Sequence, residues 1–225
     1  MLKTIGRALF GGSCFLCLGE AEALLCRACD ADLPRLGANL CPRCALASPA
    51  GAVCGRCLTQ PPAYDATQAA LAYTFPADAL VQSLKFRGEL ALAPFLGNLM
   101  LERISSRDVD CLIPVPLSLP RLRGRGYNQA LEIARHVARA TGIRLLPHAC
   151  RKVLETAPQA ELPWKERAKN VRRAFVCDAD LRGQRVAVVD DVLTTGATLN
   201  ELARVLHKAG AVEVAAWVVA RTLPR

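Results

Sequence analysis

The sequence lacks any apolar run long enough to cross a membrane. A spanning helix needs roughly 18 or more uninterrupted apolar residues, and polar or charged residues break every candidate stretch. The first residues do not form a secretion signal either, because Arg7 falls inside what would have to be the apolar core of that signal. We therefore expect a soluble, cytoplasmic protein with no membrane span.

Histidine is absent from the first 60 residues, where cysteine is concentrated. The chain has three histidines, at positions 136, 148 and 207, and eleven cysteines. Eight of the cysteines form four Cys-x-x-Cys pairs, and without a secretion signal this pattern favours metal ligation over disulfides. A metal site in this segment would be made of thiolates alone. The predicted ligands are Cys14, Cys17, Cys26, Cys29, Cys41, Cys44, Cys54 and Cys57.

The spacing of the pairs indicates two structural zinc sites. Two Cys-x-x-Cys turns complete a tetrahedral thiolate site of the kind that suits Zn²⁺. Consecutive pairing gives one site in residues 14–29 and one in 41–57, whereas interleaved pairing is the alternative. A thiol–disulfide role explains one pair but not four. Because residues 1–60 hold few large apolar side chains, we predict a double zinc ribbon whose metal supplies much of its folding free energy.

The net charge of +9 is concentrated in one segment. Residues 120–173 hold 13 basic and 4 acidic side chains, while the charges in the rest of the chain cancel. Such a concentration indicates an anionic partner, either a phosphate-rich ligand or a nucleic acid. The alternative interpretation is a solvated basic face.

After Pro61 and Pro62, apolar runs alternate with segments of helical period. This alternation is typical of an α/β fold with a parallel sheet, and nearly continuous apolar runs suit strands covered on both faces. We predict that residues 61–225 form one domain of this class. The predicted strands are 69–75, 109–115, 186–189 and 212–219, and the predicted helices are 77–86, 90–104, 127–138 and 199–206.

The stretch Arg185–Thr198 carries the most chemical information. Four apolar residues precede Asp190 and Asp191, and the run Thr194-Thr195-Gly196-Ala197-Thr198 then leads into a predicted helix. At the carboxyl end of a parallel strand, backbone N–H groups, threonine hydroxyls and a helix N-terminus favour a bound phosphate. Adjacent carboxylates suit a pair of ribose hydroxyls and would lie near Mg²⁺ chelated by a sugar diphosphate. The stretch therefore predicts a sugar phosphate site.

A second candidate anion site follows the strand predicted at 109–115. Arg121, Arg123 and Arg125 lie beside Gly124, inside the basic segment. Guanidinium groups offer forked pairs of donors that match a diphosphate. The pattern therefore predicts a diphosphate-binding loop between a strand and a helix.

These motifs carry a resemblance to a known family. Residues 190–198 resemble the motif of type I phosphoribosyltransferases that binds phosphoribosyl diphosphate (PRPP), and residues 121–125 resemble their diphosphate loop. With the cysteine pairs, they make the chain similar over nearly its whole length to the ComF family, which joins a zinc-ribbon N-terminus to a phosphoribosyltransferase domain. The resemblance implies a type I phosphoribosyltransferase fold, PRPP bound with Mg²⁺, and a mobile flap at Lys152–Arg173. It further implies ligand contacts from Lys85, Gln159 and Arg167, and Asn170 belongs to the same resemblance. For Lys152–Arg173, a solvated surface hairpin is the alternative.

Two functions follow from the resemblance. In the first, Asp190, Asp191, Arg123 and Arg125 act in the displacement of diphosphate from PRPP, with an unknown acceptor. The zinc module is expected to serve as the hood over the acceptor, because the chain stops soon after the last predicted strand. Some family members take part in DNA uptake during natural competence, which makes the competence machinery an implied partner. The alternative is a non-catalytic PRPP-fold protein that binds single-stranded DNA or senses nucleotides.

Overall fold

A computed structural model describes residues 12–104, 108–154 and 173–224. Five of its strands form one parallel sheet, in the order β3-β9-β8-β4-β5. The strands are β1 (Gly12–Ser13), β2 (Glu20–Ala21), β3 (Ala66–Ala72), β4 (Cys111–Pro114), β5 (Arg144–Leu145), β6 (Cys150–Lys152), β7 (Phe175–Cys177), β8 (Arg185–Leu193) and β9 (Glu213–Arg221). The helices are α1 (Arg27–Ala31), α2 (Gly55–Thr59), α3 (Ala77–Phe86), α4 (Leu92–Arg103), α5 (Leu119–Arg125), α6 (Gln129–Thr141) and α7 (Ala197–Lys208). Within the described ranges, no helix has both the length and the apolar character that crossing a membrane requires.

Helices cover both faces of the parallel sheet. Successive side chains of a strand point to opposite faces, so Ala187 and Val189 of β8 pack with α4 and α6, while Val186 and Val188 pack with α7. Burial on both sides explains why these strands are nearly continuous apolar runs. The prediction of an α/β fold with a parallel sheet is confirmed.

The strand predicted at 186–189 is too short. β8 continues through Asp190 and Asp191 to Leu193, because β9 runs beside it in register as far as Arg221. Because acidic residues are rarely buried, the sequence predicts that the strand ends before the two carboxylates. Hydrogen bonding to β9 overrides that local preference. The helix predicted at 77–86 matches α3 residue for residue.

The antiparallel strands β6 and β7 were not predicted. They place Cys150 opposite Cys177 and lie on either side of residues 155–172. Most of the predicted flap, with Gln159, Arg167 and Asn170, lies outside the described residues. The roles predicted for those residues therefore stay predictions.

The N-terminal module lies along the outer side of β3. The backbone N–H of Ala72 donates to the carbonyl of Pro34 at 2.7 Å, and that of Leu36 donates to the carbonyl of Ala70 at 3.0 Å. A bridge between Arg35 and Leu71 makes this pairing antiparallel. The free side of β3 is thereby covered by the chain that joins the two cysteine-rich segments.

The N-terminal module also shares a hydrophobic core with the sheet. One cluster of buried side chains contains Cys14, Leu25 and Leu33 together with Leu71 and Leu80. The module is therefore packed on the sheet rather than carried on a free linker. The division into domains at residues 1–60 and 61–225 stays a prediction.

Candidate functional site

The eight predicted metal ligands form two thiol tetrads. The four Sγ atoms of each tetrad lie within 4.8 Å of one another, and the sets are the consecutive ones, residues 14–29 and residues 41–57. All eight cysteines are free of disulfide bonds. Four convergent thiols are the donor set of a structural zinc site. The residues present therefore fit Zn²⁺ at both positions.

Both tetrads have the same local construction. In each first turn, a backbone N–H donates at 2.9 Å to the carbonyl of the leading cysteine, Cys14 or Cys41. The third cysteine, Cys26 or Cys54, directly precedes a short helix that carries the fourth. The backbone N–H groups of Cys17 and Cys26 lower the pKa of the Cys14 thiol to about 6. A low thiol pKa favours the thiolate form that binds a metal.

The connection from β8 to α7 forms a compact polar loop. Thr195 Oγ1 accepts a hydrogen bond from the backbone N–H of Ala197 at 3.1 Å. Gly196 takes a left-handed φ of 82° and precedes the first turn of α7. The N-terminus of α7 adds partial positive charge and N–H groups at the same place. The loop therefore has the form and polarity of a phosphate cradle.

Gly196→Ala is expected to lower the free energy of unfolding by about 2 kcal/mol. An alanine there would hold an unfavourable φ, and its Cβ would lie 2.8 Å from Tyr64 Oη, so a side chain must shift. Gly88→Ala is the matched control, because Gly88 has a φ of 74° and open space around it. Urea unfolding gives the free energy of unfolding of both variants. The loss in Gly88→Ala measures the cost of the backbone conformation, and any additional loss in Gly196→Ala measures the clash with Tyr64. Equal losses of unfolding free energy in the two variants would contradict the tight packing of the loop.

The acidic pair lies at the end of β8, just before the loop. Asp191 is buried, with 3% of its surface exposed. Lys85 of α3 places its Nζ 2.8 Å from Asp191 Oδ2 and 3.0 Å from Oδ1. Burial by itself lowers the pKa of Lys85, but the carboxylates of Asp191 and Asp190, together with Tyr73, outweigh burial and raise it. Lys85, which only the family resemblance had suggested, thus contacts the predicted site directly.

Asp190 has a different electrostatic environment from its neighbour. Its Oδ1 accepts a hydrogen bond from the backbone N–H of Asp191 at 2.9 Å. Burial, together with the nearby carboxylate of Asp191, raises the pKa of Asp190 from 3.8 to about 7. A ligand that donates hydrogen bonds or brings a cation to Asp190 would favour its ionised form.

Asp190→Asn is expected to stabilise the ligand-free protein above about pH 7, by up to about 4 kcal/mol. Because the pKa of Asp190 rises from its ordinary value of 3.8 to about 7 in the fold, the folded state holds this proton more tightly, and wild-type stability falls as the pH rises between these values. The difference in unfolding free energy between variant and wild type should therefore grow from about pH 4 to about pH 7.

The matched control for this effect is Asp191→Asn. That substitution leaves the half-buried ammonium of Lys85 without its carboxylate, so it should destabilise the protein at neutral pH. Urea unfolding over the pH range measures both effects. A constant difference between Asp190→Asn and the wild type across that range would contradict the raised pKa.

The predicted diphosphate loop is largely a helix, so that prediction is wrong in its local structure. α5 spans Leu119–Arg125, with Pro120 in its first turn, and ends at Gly126, which has a left-handed φ of 83°. Helical geometry puts Arg121 and Arg125 on one face, because they are four residues apart, and turns Arg123 away. Arg123 is exposed.

Arg125, the last residue of α5, lies within electrostatic range of the acidic pair. Its guanidinium lies 5.3 Å from the ring centre of Phe86 and donates to Oε1 of Gln129. Burial lowers the pKa of Arg125, while the carboxylates of Asp191 and Asp190 act in the opposite direction. The structure thus brings Arg125, Lys85 and both acids into one electrostatic group.

Two buried residues contact the predicted phosphate loop, residues 194–198. The sequence analysis missed both of them. Arg221, 3% exposed, donates to the carbonyl of Leu193 at 2.8 Å. Tyr64, 4% exposed, lies against Gly196, and burial raises its pKa to about 12. A basic residue just after a predicted apolar strand was the available signal for Arg221. Nothing in the sequence marked Tyr64.

Comparisons with known proteins agree with this architecture. Residues 5–58 match the family described as "Double zinc ribbon domain", and residues 164–223 match "Phosphoribosyl transferase domain". Among solved structures, the chain is similar to adenine phosphoribosyltransferase from Thermoanaerobacter pseudethanolicus, with 17% identity and a TM-score of 0.37 over 57% of this chain and 69% of that one.

Two curated relatives are similar over most of their length. The "DNA utilization protein YhgH" of Salmonella typhi is 34% identical, and the alignment covers 94% of this chain and 98% of the relative. The "Competence protein F" of Haemophilus influenzae is 35% identical over 75% of this chain and 78% of the relative. The chain therefore belongs to the ComF family, in which a double zinc ribbon precedes a phosphoribosyltransferase domain.

Proposed function

We propose that the chain binds PRPP with Mg²⁺ at the carboxyl end of β8 and transfers the phosphoribosyl group to an acceptor. One observation carries the proposal: an acidic pair and a phosphate cradle follow each other on one strand end, and Lys85 and Arg125 approach the same acids. A sugar that carries both a phosphate and a diphosphate would engage each of these groups.

The proposed contacts assign one part of PRPP to each element. Residues 194–198 hold the 5′-phosphate at the N-terminus of α7. Asp190 and Asp191 accept hydrogen bonds from the ribose hydroxyls, and Lys85, 2.8 Å from Oδ2 of Asp191, holds that carboxylate in place. Carboxylate oxygens at this position also suit Mg²⁺, which would neutralise part of the diphosphate charge when it is bound.

The proposed reaction is a displacement at the anomeric carbon of the ribose. A nucleophilic atom of the acceptor forms a bond to that carbon while the bond to the diphosphate oxygen breaks. Negative charge grows on the departing diphosphate, where Arg121 and Arg125 can stabilise it from one face of α5. The sequence analysis assigned the same role to Arg123, and this assignment remains a prediction. Helical geometry places Arg123 on a different face of α5 from Arg121 and Arg125.

The zinc module is proposed to form part of the acceptor site. Its second tetrad is linked through Arg221 to the residues that open the phosphate loop, so the module lies beside the predicted ligand. Tyr64, next to the module, contacts the same loop. This proximity supports a hood built from the N-terminal segment.

Calorimetric titration of the zinc-loaded chain with PRPP and Mg²⁺ tests the binding step. We expect saturable binding that excess diphosphate or ribose 5-phosphate displaces, since each would occupy half of the site. An assay for released diphosphate in the presence of each common nucleobase then tests transfer. Absence of PRPP binding would contradict the proposal, and binding without diphosphate release would favour the non-catalytic alternative.

The second candidate function is binding of single-stranded DNA. Phe86 is 72% exposed and lies beside Arg125, while Phe75 is 77% exposed in the loop after β3. Exposed aromatic rings with nearby arginines are typical of surfaces on which successive bases stack. The names of the relatives, which refer to DNA utilization and competence, favour a link to DNA uptake. We place this function in the cytoplasm.

Fluorescence anisotropy with a labelled oligonucleotide tests this second function. We expect affinity to fall with rising salt and Phe86→Ala to weaken binding about tenfold, as loss of one stacking contact would. Competition by PRPP would place the DNA in the same groove. Salt-dependent binding that is unchanged in Phe86→Ala would assign the DNA to another surface.

A further inference from the structure

Arg221 connects the second cysteine tetrad to the phosphate loop. Its Nε donates to the carbonyl of Cys44 at 2.8 Å, and its Nη1 donates to the carbonyl of Leu193 at 2.8 Å. Nη1 also donates to the carbonyls of Thr194 and Thr222, the latter at 2.9 Å. One side chain at the end of β9 therefore binds a zinc-ligand residue and the first residue of the loop.

The guanidinium of Arg221 is in an unusual position for a charge. It is 3% exposed, and the acceptors recorded for it in the described part of the chain are carbonyl oxygens rather than carboxylates. A buried cation is costly unless a negative charge lies close by. The second cysteine tetrad lies beside Arg221, through the carbonyl of Cys44, and it would become anionic when its thiols bind a metal.

Zinc would strengthen this arrangement in two ways. A Zn²⁺ ion with four thiolates carries net negative charge, which would compensate the buried guanidinium. Metal ligation would also fix the backbone of the turn 41–44, and with it the carbonyl of Cys44 that Arg221 binds. The remaining donors of Arg221 then hold the carbonyls of Leu193 and Thr194 on the side of the second tetrad.

We propose that Arg221 is a positioning residue through which zinc in the second tetrad orders the phosphate loop 194–198. By holding the two carbonyls away from the ligand side, it leaves the N–H groups and threonine hydroxyls of the loop for the anion. Tyr64 also packs against this loop, at Gly196. The link to PRPP rests on the proposed function, whereas the link between zinc and loop order does not.

Hydrogen–deuterium exchange of the full, zinc-loaded chain tests the proposal without PRPP. In Arg221→Met we expect two zinc ions per chain but about tenfold faster exchange in residues 194–198, because an opening that costs about 1.4 kcal/mol less is ten times more populated. Arg103→Met is the matched control. Arg103 of α4 also donates to a backbone carbonyl of the N-terminal module, that of Gly37, which lies in the segment between the two tetrads. Exchange of residues 194–198 in this variant should equal that of the wild type.

A second variant removes the metal instead of the arginine. Cys54→Ser should retain one zinc ion, in the first tetrad, and should show the same faster exchange in 194–198. Because both changes break one connection, the double variant Arg221→Met, Cys54→Ser should exchange no faster than either single one. Wild-type protection of the loop in either variant would overturn the proposal. Loss of the near-ultraviolet signal of buried Trp217 in both variants would also overturn it, since Arg221 would then hold the fold as a whole.

PRPP titration of the same variants adds the functional readout. We expect weaker binding in Arg221→Met and Cys54→Ser, in proportion to the loss of loop protection, and wild-type affinity in Arg103→Met. If the wild type does not bind PRPP, the proposed function fails while the exchange result still decides the role of Arg221. Faster exchange with unchanged PRPP affinity would show that the ordered loop does not serve this ligand.

Discussion

The double variant Asp190→Asn, Asp191→Asn is expected to bind PRPP with Mg²⁺ about 100-fold more weakly than the wild type. A hydrogen bond to a charged acceptor contributes about 1.5–3 kcal/mol, so losing both carboxylates should remove about 3 kcal/mol of binding free energy. Calorimetry at a pH above the pKa of about 7 for Asp190 measures the effect with Asp190 ionised in the wild type.

The control for this experiment is a carboxylate far from the phosphate loop. Asp180 is exposed and pairs with Arg182 at 2.7 Å, so Asp180→Asn should leave PRPP affinity unchanged. Circular dichroism confirms that the double variant is folded before titration. If the folded double variant binds PRPP as tightly as the wild type, the two acids do not contact the ligand, and the proposed ribose contacts are wrong.

Loss of zinc from the first tetrad is expected to destabilise the parallel sheet as well as the ribbons. Cys14 belongs to the same buried cluster as Leu71 of β3 and Leu80 of α3. Cys14→Ser should therefore retain only one zinc ion and lose about 4 kcal/mol or more of the free energy of unfolding, which is a large part of the stability of an ordinary domain. Elemental analysis gives the zinc content, and urea unfolding followed through buried Trp217 reports on the sheet.

Cys177→Ser is the matched control for zinc loss. Cys177 is a free, partly buried cysteine of β7 that belongs to neither tetrad. We expect this variant to keep both zinc ions and nearly all of its stability. A wild-type unfolding midpoint for the sheet in Cys14→Ser would show that the ribbons fold independently of it.

Local patterns made part of the site predictable from the sequence. Each tetrad is built from cysteines within 17 residues or fewer of one another, and the acids and the phosphate loop lie on nine consecutive residues. Where ligands are this close in sequence, spacing restricts which atoms can meet. Spacing left both consecutive and interleaved pairing of the cysteine turns open, and the structure gives the consecutive sets.

Contacts between distant residues were not predictable in the same way. Asp191 meets Lys85 across 106 residues, and Arg221 meets Cys44 across 177. Neither contact is indicated by the spacing of residues in the sequence or by the hydrophobic periodicity, and only the family resemblance suggested Lys85. The helical form of residues 121–125 had local signals, Pro120 and Gly126, but the alternation of arginine and glycine favoured a loop instead.

The strand-like segment from Pro34 to Leu36 has a consequence for association between chains. An uncovered edge strand offers its backbone groups to other molecules and promotes aggregation, and β3 would be such an edge without the N-terminal module. The opposite edge of the sheet, β5, is only two residues long and offers little to pair with. The zinc module therefore also prevents strand pairing between molecules. A fragment that begins after residue 60 would expose β3, the longer of the two edge strands.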